Sequence, residues 1–210
     1  MQQDFLNLLS AREGHFRYES GYHSNLWLDL DLLFVRPTRI QPFAVELAKK
    51  LARHNVAAIC GPLVGGALVA QMVAAALNVE FYYTERFVLP QPEKTLYPVE
   101  YRLPESLRTV IRGKNVAILD DVISAGSAVR GTLTDLRNWG IGSVVIGALL
   151  VLGNSAPDFF GAQNIPVESF ATLPSHLWLP AECPLCQSQV PLEDVTADAQ
   201  RFPPTKSSTP

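Results

Sequence analysis

The stretch VAILDDVISAGSAVRGTL, residues 116–133, places two acids between an apolar run and a loop of small residues. The run at 116–119 predicts a buried strand, and residues 127–139 predict a helix after it. Paired carboxylates at the end of a buried strand repel each other, so Asp120 and Asp121 need something to bind. Between the acids and the helix, Gly126 can adopt a positive φ angle, which lets a ligand approach the backbone closely.

The loop at 124–128 is suited to an anion. Ser124 and Ser127 offer hydroxyls, and the first N–H groups of the following helix point outward, as in phosphate-binding loops. The loop has no GK[ST] sequence, so it is not a Walker A loop. Carboxylates accept hydrogen bonds from sugar hydroxyls and associate with hydrated Mg²⁺, so a ribose that carries a 5-phosphate fits acids and loop together. The alternative is a polar strand end with helix-capping serines.

Apolar strands alternate with helices along most of the chain. Further strands are predicted at 56–60, 79–83, 144–152 and 167–170, and a helix at 65–77. Strands that are apolar throughout and separated by helices imply an α/β fold with a parallel sheet covered on both faces. In such sheets ligands bind at the carboxyl ends of the strands. The uncharged segment 56–79 is long enough to span a bilayer, but its paired glycines and proline favour strand, loop and helix.

The composition of the chain limits the classes of protein to which it can belong. The 210 residues suit one domain, and the 48% of hydrophobic residues can form a sizeable core. The net charge of −3 does not indicate a nucleic-acid or membrane partner held by bulk charge. Three cysteines argue against a disulfide framework, and no signal-peptide pattern opens the chain, so we expect a cytoplasmic protein.

Two segments change character. Residues 87–113 contain several prolines and little clear pattern, and a long excursion next to the ligand edge is typical of a lid. A solvated excursion with some strand is the alternative. The polar, proline-rich residues 194–210 are expected to be disordered.

These motifs carry a resemblance to a known family. VAILDDVISAGSA resembles the motif that binds phosphoribosyl diphosphate (PRPP) in type I phosphoribosyltransferases. Within that family, GHFRYESGYHSNLWLDLDLLF, CGPLVGGALVAQMVAAAL and VEFYYTER are similar to the N-terminal segment, the diphosphate loop and the strand before the flap of the orotate phosphoribosyltransferase branch. The resemblance implies a parallel-sheet α/β fold with a hood at 1–36, a core at 37–193 and a flap at 87–113. It also implies a homodimer.

The implied reaction is displacement of Mg²⁺-bound diphosphate from PRPP by a base nitrogen, with orotate as the leading base. Asp120 and Asp121 would hold the ribose hydroxyls near the Mg²⁺, without ligating it directly, and Arg86 would contact the leaving diphosphate. The remaining PRPP contacts would come from Val122, Ile123, Ser124, Ala125, Gly126, Ser127 and Ala128. The diphosphate would meet Pro62, Leu63, Val64, Gly65 and Gly66. The base would meet Ser124, Glu19 and Phe34, although core packing is an alternative for Phe34.

Three departures from the orotate pattern keep other functions open. Glu19 stands where many orotate enzymes carry a lysine, residues 150–154 lack an arginine, and the flap has few basic residues beyond Lys94 and Arg102. A phosphoribosyltransferase for another base is one alternative, because Glu19 could pair with an exocyclic amine. A sensor that binds PRPP or a nucleotide without turnover is the other, because it needs only the 120–128 site.

Four further residues have no assigned role. Cys183 and Cys186 form a single C-x-x-C, whereas zinc usually needs four ligands and no other candidate lies at motif spacing. We therefore expect a structural turn there, with a metal or redox role as the alternative. His15 and His23 could shape the base pocket or serve as hydrogen-bonded structural histidines.

Overall fold

The structure is a computed structural model that describes residues 1–88 and 96–195. Its strands are β1 (Ser10–Arg17), β2 (His23–Asp29), β3 (Ala58–Pro62), β4 (Glu80–Val88), β5 (Val99–Arg102), β6 (Val116–Ile123), β7 (Val144–Leu152), β8 (Val167–Leu173), β9 (Leu177–Trp178) and β10 (Glu193–Asp194). Its helices are α1 (Gln2–Leu6), α2 (Asp31–Phe34), α3 (Pro37–Leu51), α4 (Gly65–Leu77), α5 (Ser127–Asn138), α6 (Ser155–Gly161) and α7 (Pro184–Gln187).

The larger sheet confirms the predicted α/β class. Its six strands follow the order β5-β4-β3-β6-β7-β8, and all neighbours are parallel except the edge pair β4–β5. β7 is buried along nearly its whole length, which explains why its sequence is apolar throughout rather than alternating.

Helices cover this sheet on both faces. On one face α3 and α4 pack together, and α3 presents Phe43, Leu47 and Leu51 to the core at helical spacing. On the other face the second core includes Val129 and Leu133 of α5, with Phe160 of α6. The segment at 56–79 forms β3 and α4 as expected, and among the described residues no helix is long and apolar enough to cross a membrane.

β6 is longer than its apolar run predicts. It continues through Ile123, so Asp120 and Asp121 lie inside the strand rather than after it. β7 runs beside the acids and extends their ladder, because Asp120 pairs with Ala148 and Val122 with Leu150. The acids are therefore fixed by sheet hydrogen bonds, which holds their carboxylates at the carboxyl edge of the sheet.

A second sheet of four strands joins the two ends of the chain. Its order is β10-β1-β2-β9, in which the N-terminal hairpin β1–β2 is flanked by strands from the C-terminal segment. The hairpin turns at Gly21, whose φ is 85°. The predicted hood at 1–36 therefore shares its sheet with residues of the predicted core segment, and Asp194 of the predicted tail belongs to β10.

The predicted lid contains regular structure. β4 extends to Val88, and β5 (Val99–Arg102) pairs antiparallel with it at the edge of the larger sheet, so the lid segment contributes strand residues at both places. A short helical turn follows at Glu105–Leu107. Lys94 of the lid, like 196–210 of the tail, lies outside the described residues.

Candidate active site

The acid pair is organised by its own backbone. The N–H of Asp121 donates to Oδ1 of Asp120 at 3.1 Å, and the N–H of Val122 donates to Oδ1 of Asp121 at 2.8 Å. Burial raises the pKa of Asp120 well above its usual range, and the neighbouring charge of Asp121 raises it further. A ligand that donates hydrogen bonds or brings positive charge would favour the ionised form of this pair.

The small-residue loop follows at the end of β6. Gly126 has a φ of 79°, in the left-handed region, and α5 begins at the next residue. The first N–H groups of α5 have no partner within the helix, so they are available to an anion. The Oγ of Ser124 is one of five buried side-chain polar atoms that have no hydrogen-bond partner among the described residues, and because Ser124 lines this loop a ligand bound there could satisfy it.

The turn between β3 and α4 brings a second backbone segment against the acids. A Cβ atom at Gly65 would lie 2.2 Å from Oδ2 of Asp121, and one at Gly66 would lie 2.7 Å from Oδ1 of Asp120. A side chain at Gly65 would have to displace the Asp121 carboxylate, and one at Gly66 would also meet Pro62 and the Leu119 carbonyl. The N–H of Leu63 donates to the Thr84 carbonyl at 2.9 Å, so of the predicted diphosphate-binding amides only those of 64–66, at the start of α4, lack a partner within the helix.

A polar network connects the hood to the larger sheet and to the start of α5 at the site. Glu19, in the β1–β2 turn, accepts from Nε of Arg86 at 2.7 Å, from the Tyr101 hydroxyl at 3.0 Å and from the Ser127 hydroxyl at 2.9 Å. Arg86 and Tyr101 face each other across the β4–β5 ladder, which explains how both reach one carboxylate. Burial, and then the charge of Glu19, raise the pKa of Tyr101, so its hydroxyl stays protonated and donates.

These elements surround one cavity of about 320 Å³. Most of the predicted PRPP-binding residues line it, with Glu19 and Arg86. Ile123 does not, because its side chain packs in the core. Phe34 also packs against core residues and does not line the cavity, whereas Trp27 of β2 does. The turn at 62–66 contacts the acids through Gly65 and Gly66 but does not line the cavity.

Sequence reasoning missed Tyr101 and the pairing of Glu19 with Arg86. Tyr101 sits in the segment predicted as an irregular lid, so its place beside Arg86 could be inferred only once β5 was known to pair with β4. Alternation in VEYR, residues 99–102, was the available signal: Val99 and Tyr101 are buried while Arg102 is exposed.

Comparison with known proteins agrees with this geometry. The phosphoribosyl transferase domain family matches residues 39–158. The orotate phosphoribosyltransferase of Thermotoga maritima is 29% identical over 181 residues, which cover 86% of this chain and 89% of that protein. The enzyme of the same name from Helicobacter pylori (strain HPAG1) is 30% identical over 209 residues, covering 90% of this chain and 94% of that protein.

Solved structures share the fold. Orotate phosphoribosyltransferase of Mycobacterium tuberculosis superposes with a TM-score of 0.58 at 16% identity, over 82% of this chain and 94% of that one. Adenine phosphoribosyltransferase of Trypanosoma brucei gives 0.61 at 13% identity, over 81% and 79%. With the family match and the curated relatives, this fold assigns the chain to the phosphoribosyl transferase family, as a type I pentosyltransferase of the orotate phosphoribosyltransferase-like branch.

Proposed function

We propose that this enzyme transfers the phosphoribosyl group of PRPP to a pyrimidine base, with orotate as the leading acceptor and orotidine 5′-phosphate and diphosphate as products. The observation that carries the proposal is the acid pair of β6 facing a small-residue loop that holds a buried, unpartnered Ser124 hydroxyl in the described structure. Orotate leads because curated relatives that align over most of the chain are named for it.

The roles of the residues follow from their positions. Asp120 and Asp121 accept hydrogen bonds from the ribose hydroxyls, while the Ser124 hydroxyl and the first amides of α5 bind the 5-phosphate. The amides of 64–66 meet the diphosphate from the other side of the acids. Catalysis by such a site consists mainly of positioning and charge stabilisation.

Magnesium fits this donor set. Two adjacent carboxylates supply hard oxygen donors, which suit Mg²⁺ that retains its waters. A nearby cation would also favour the ionised form of Asp120, whose pKa is raised by burial and by Asp121. Asp120 and Asp121 would hold the hydrated ion that arrives with PRPP. When bound, this ion neutralises charge on the diphosphate.

In the transfer step, a nitrogen of the base donates an electron pair to the anomeric carbon, and the proton that this nitrogen carried passes to solvent or to the departing diphosphate. The bond from that carbon to the diphosphate oxygen breaks, and its electrons leave with the diphosphate. Arg86 lies at the cavity wall, where its guanidinium can stabilise the leaving charge. The hood and the β4–β5 strand pair would exclude water, and the N–H of Tyr97, just before β5, donates to the Ser20 carbonyl of the hood at 3.1 Å.

A second acceptor class is favoured by one observation. Glu19 places a carboxylate inside the cavity, where it repels the carboxylate of orotate but would accept from an exocyclic amine. A base that carries such an amine is therefore the alternative substrate. The sensor is disfavoured, because the chain belongs to a family of transferases.

An acceptor panel tests the proposal. The wild-type protein is incubated with PRPP, Mg²⁺ and one base at a time, and nucleotide formation is followed by chromatography. We expect nucleotide with orotate and at most a small amount with amino-substituted pyrimidines or purines. Turnover confined to an amine-bearing base would support the alternative substrate class instead.

We also propose that the protein is cytoplasmic and, as in the branch, a homodimer. Light scattering coupled to gel filtration would test the dimer.

A further inference from the structure

Four side chains without a role in the reaction converge at the junction of the hood and the C-terminal segment. They are His15 on β1, His23 at the start of β2, and Cys183 and Cys186 of the C-x-x-C turn at α7. One ligand atom from each lies within 4.8 Å of every other. Nε2 of His15 is 3.0 Å from Nδ1 of His23 and 3.4 Å and 3.6 Å from the two sulfurs, and Cys186 Sγ is 3.3 Å from His23 Nδ1.

We propose that these four residues form a structural zinc site of the Cys₂His₂ class. Zinc binds sulfur at about 2.3 Å and imidazole nitrogen at about 2.0 Å, so neighbouring ligands of a tetrahedral ion lie about 3.3–3.8 Å apart. The measured separations of 3.3, 3.4 and 3.6 Å fall within this range, and the nitrogen pair at 3.0 Å is slightly closer. Two thiols and two imidazoles complete a four-ligand set without water.

Hydrogen bonding around the cluster orients its first ligand. Nδ1 of His15 lies 2.8 Å from the Val190 carbonyl, which can only accept, so this nitrogen carries the proton. Nε2 of His15 therefore turns its lone pair toward the other three residues. A backbone carbonyl that holds the outer nitrogen of a ligating histidine is the usual support of a metal site.

Burial distinguishes this cluster from a chance surface group. His15, His23 and Cys183 are 3%, 4% and 0% exposed, whereas Cys186 is exposed and provides a route for an incoming ion. Two thiols are soft ligands, which favour zinc over the magnesium of the catalytic reaction. The sequence favoured a structural turn over a metal site because no further ligand lay at motif spacing to the cysteines, and the two histidines that the fold brings to them lie more than 150 residues away in the chain.

The position of the site explains what the ion would do. Cys183 and Cys186 lie between β9 and β10, the two C-terminal strands that flank the β1–β2 hairpin. One zinc ion would therefore link the β1–β2 hairpin to the C-terminal segment that supplies β9 and β10. The hairpin carries Tyr18, Glu19 and Ser20 of the active-site cavity, so the ion would fix the hood without touching the substrates. This inference does not depend on which base is accepted.

Metal content of the full-length protein tests the proposal. The chain is expressed with zinc in the medium, purified without chelators and analysed by inductively coupled plasma mass spectrometry. We expect one zinc per chain in the wild type, and roughly tenfold or greater loss of affinity in Cys186→Ser and His23→Gln. The matched controls are Cys60→Ala and His176→Gln, which change the same residue types outside the cluster and should keep the metal.

A spectroscopic measurement on the wild type covers the case in which a variant misfolds. Cobalt-substituted protein should show the strong visible absorption of tetrahedral Co²⁺ and a sulfur-to-cobalt charge-transfer band. Mercurial titration of the thiols in zinc-loaded protein should release the ion stoichiometrically. Zinc content well below one in the supplemented wild type, retention in Cys186→Ser, or a weak octahedral cobalt spectrum would overturn the proposal. So would a Cys183–Cys186 disulfide that persists in protein purified with a reductant present.

Discussion

Nε of Arg86 lies 2.7 Å from Oε2 of Glu19, and this ion pair joins the hood to the larger sheet across the active-site cavity. Both side chains are about three-quarters buried, with 28% and 24% exposed. The acid that departs from the orotate pattern is thus compensated by the one basic residue predicted to contact diphosphate. Glu19 partly neutralises the charge of Arg86, so the attraction of Arg86 for an anionic ligand depends on Glu19.

Removing the charge of Glu19 is therefore expected to help an anionic acceptor. In Glu19→Gln the amide oxygen can still accept from Tyr101 and Ser127, while Arg86 loses its counter-charge. We predict that KM for orotate falls roughly fivefold, equivalent to about 1 kcal/mol. Steady-state kinetics measure it, with Glu100→Gln, which releases Arg102 outside this cavity, as the control. A higher KM in Glu19→Gln would mean that Glu19 itself holds the base.

We expect the buried acid pair to lower the free energy of unfolding of the ligand-free protein, although binding requires it. Because burial and Asp121 raise the folded pKa of Asp120 above its unfolded value, the free energy of unfolding falls as the pH rises through that folded pKa. Asp120→Asn should abolish turnover, yet raise the free energy of unfolding of ligand-free protein at neutral pH by about 0.5–2 kcal/mol. The gain should disappear in acid, where Asp120 is protonated.

Urea unfolding at several pH values measures the effect of Asp120→Asn. Asp4→Asn, at an exposed position, is the control and should change stability by less than about 0.5 kcal/mol. A destabilised Asp120→Asn protein at neutral pH would show that the carboxylate is stabilised by its surroundings, contrary to this account.

The contact of Gly65 with Asp121 predicts a sharp loss of activity on adding one methyl group. Gly65→Ala would place a Cβ atom 2.2 Å from Oδ2 of Asp121 and push the carboxylate out of position. Displacement by about 1 Å costs on the order of 10² in rate, so kcat/KM should fall by at least that factor. Gly161→Ala is the control, because its Cβ meets nothing within 4 Å, and it should retain full activity. Normal turnover by Gly65→Ala would mean that the glycine turn does not press on the acids.

A buried hydroxyl pair behind the site gives a prediction about stability. The hydroxyls of Thr84 on β4 and Thr132 on α5 lie 2.8 Å apart, and both residues are fully buried. Either single change to Val leaves the other hydroxyl unpartnered and should cost about 1–3 kcal/mol, whereas the double variant should lose much less than the sum. A double-mutant cycle by urea denaturation measures the coupling, and additive losses would show that the hydroxyls do not interact.

The sequence predicts the fold well where one physical signal dominates. The continuously apolar strands could be predicted because burial on both faces of a sheet leaves a distinct pattern. Most of residues 120–128 line one cavity, as expected, whereas their binding of phosphate stays a prediction. The strand boundary after Leu119 was wrong, since the ladder to β7 carries two acids that no apolar pattern would include. Ladder hydrogen bonds involve only the backbone, so side-chain polarity does not reveal them.

Contacts between remote segments could not be predicted from one sequence. The Glu19–Arg86 pair joins the hood turn to β4, and the His15–Cys183 contact joins β1 to the C-terminal turn. Neither has a spacing rule, because both arise from how two sheets meet in space. Each of these residues can be singled out from the sequence, but only the fold supplies its partner.

Diphosphate release from Mg²⁺-PRPP with orotate present, using Asp121→Asn as the blank, tests most directly whether phosphoribosyl transfer takes place at the 120–128 site. The account predicts orotate-dependent release by the wild type that falls on the order of 10²-fold or more in the blank, with the variant still folded by circular dichroism. Release that does not require orotate, or equal release by Asp121→Asn, would contradict the assignment of the 120–128 site as the place of phosphoribosyl transfer.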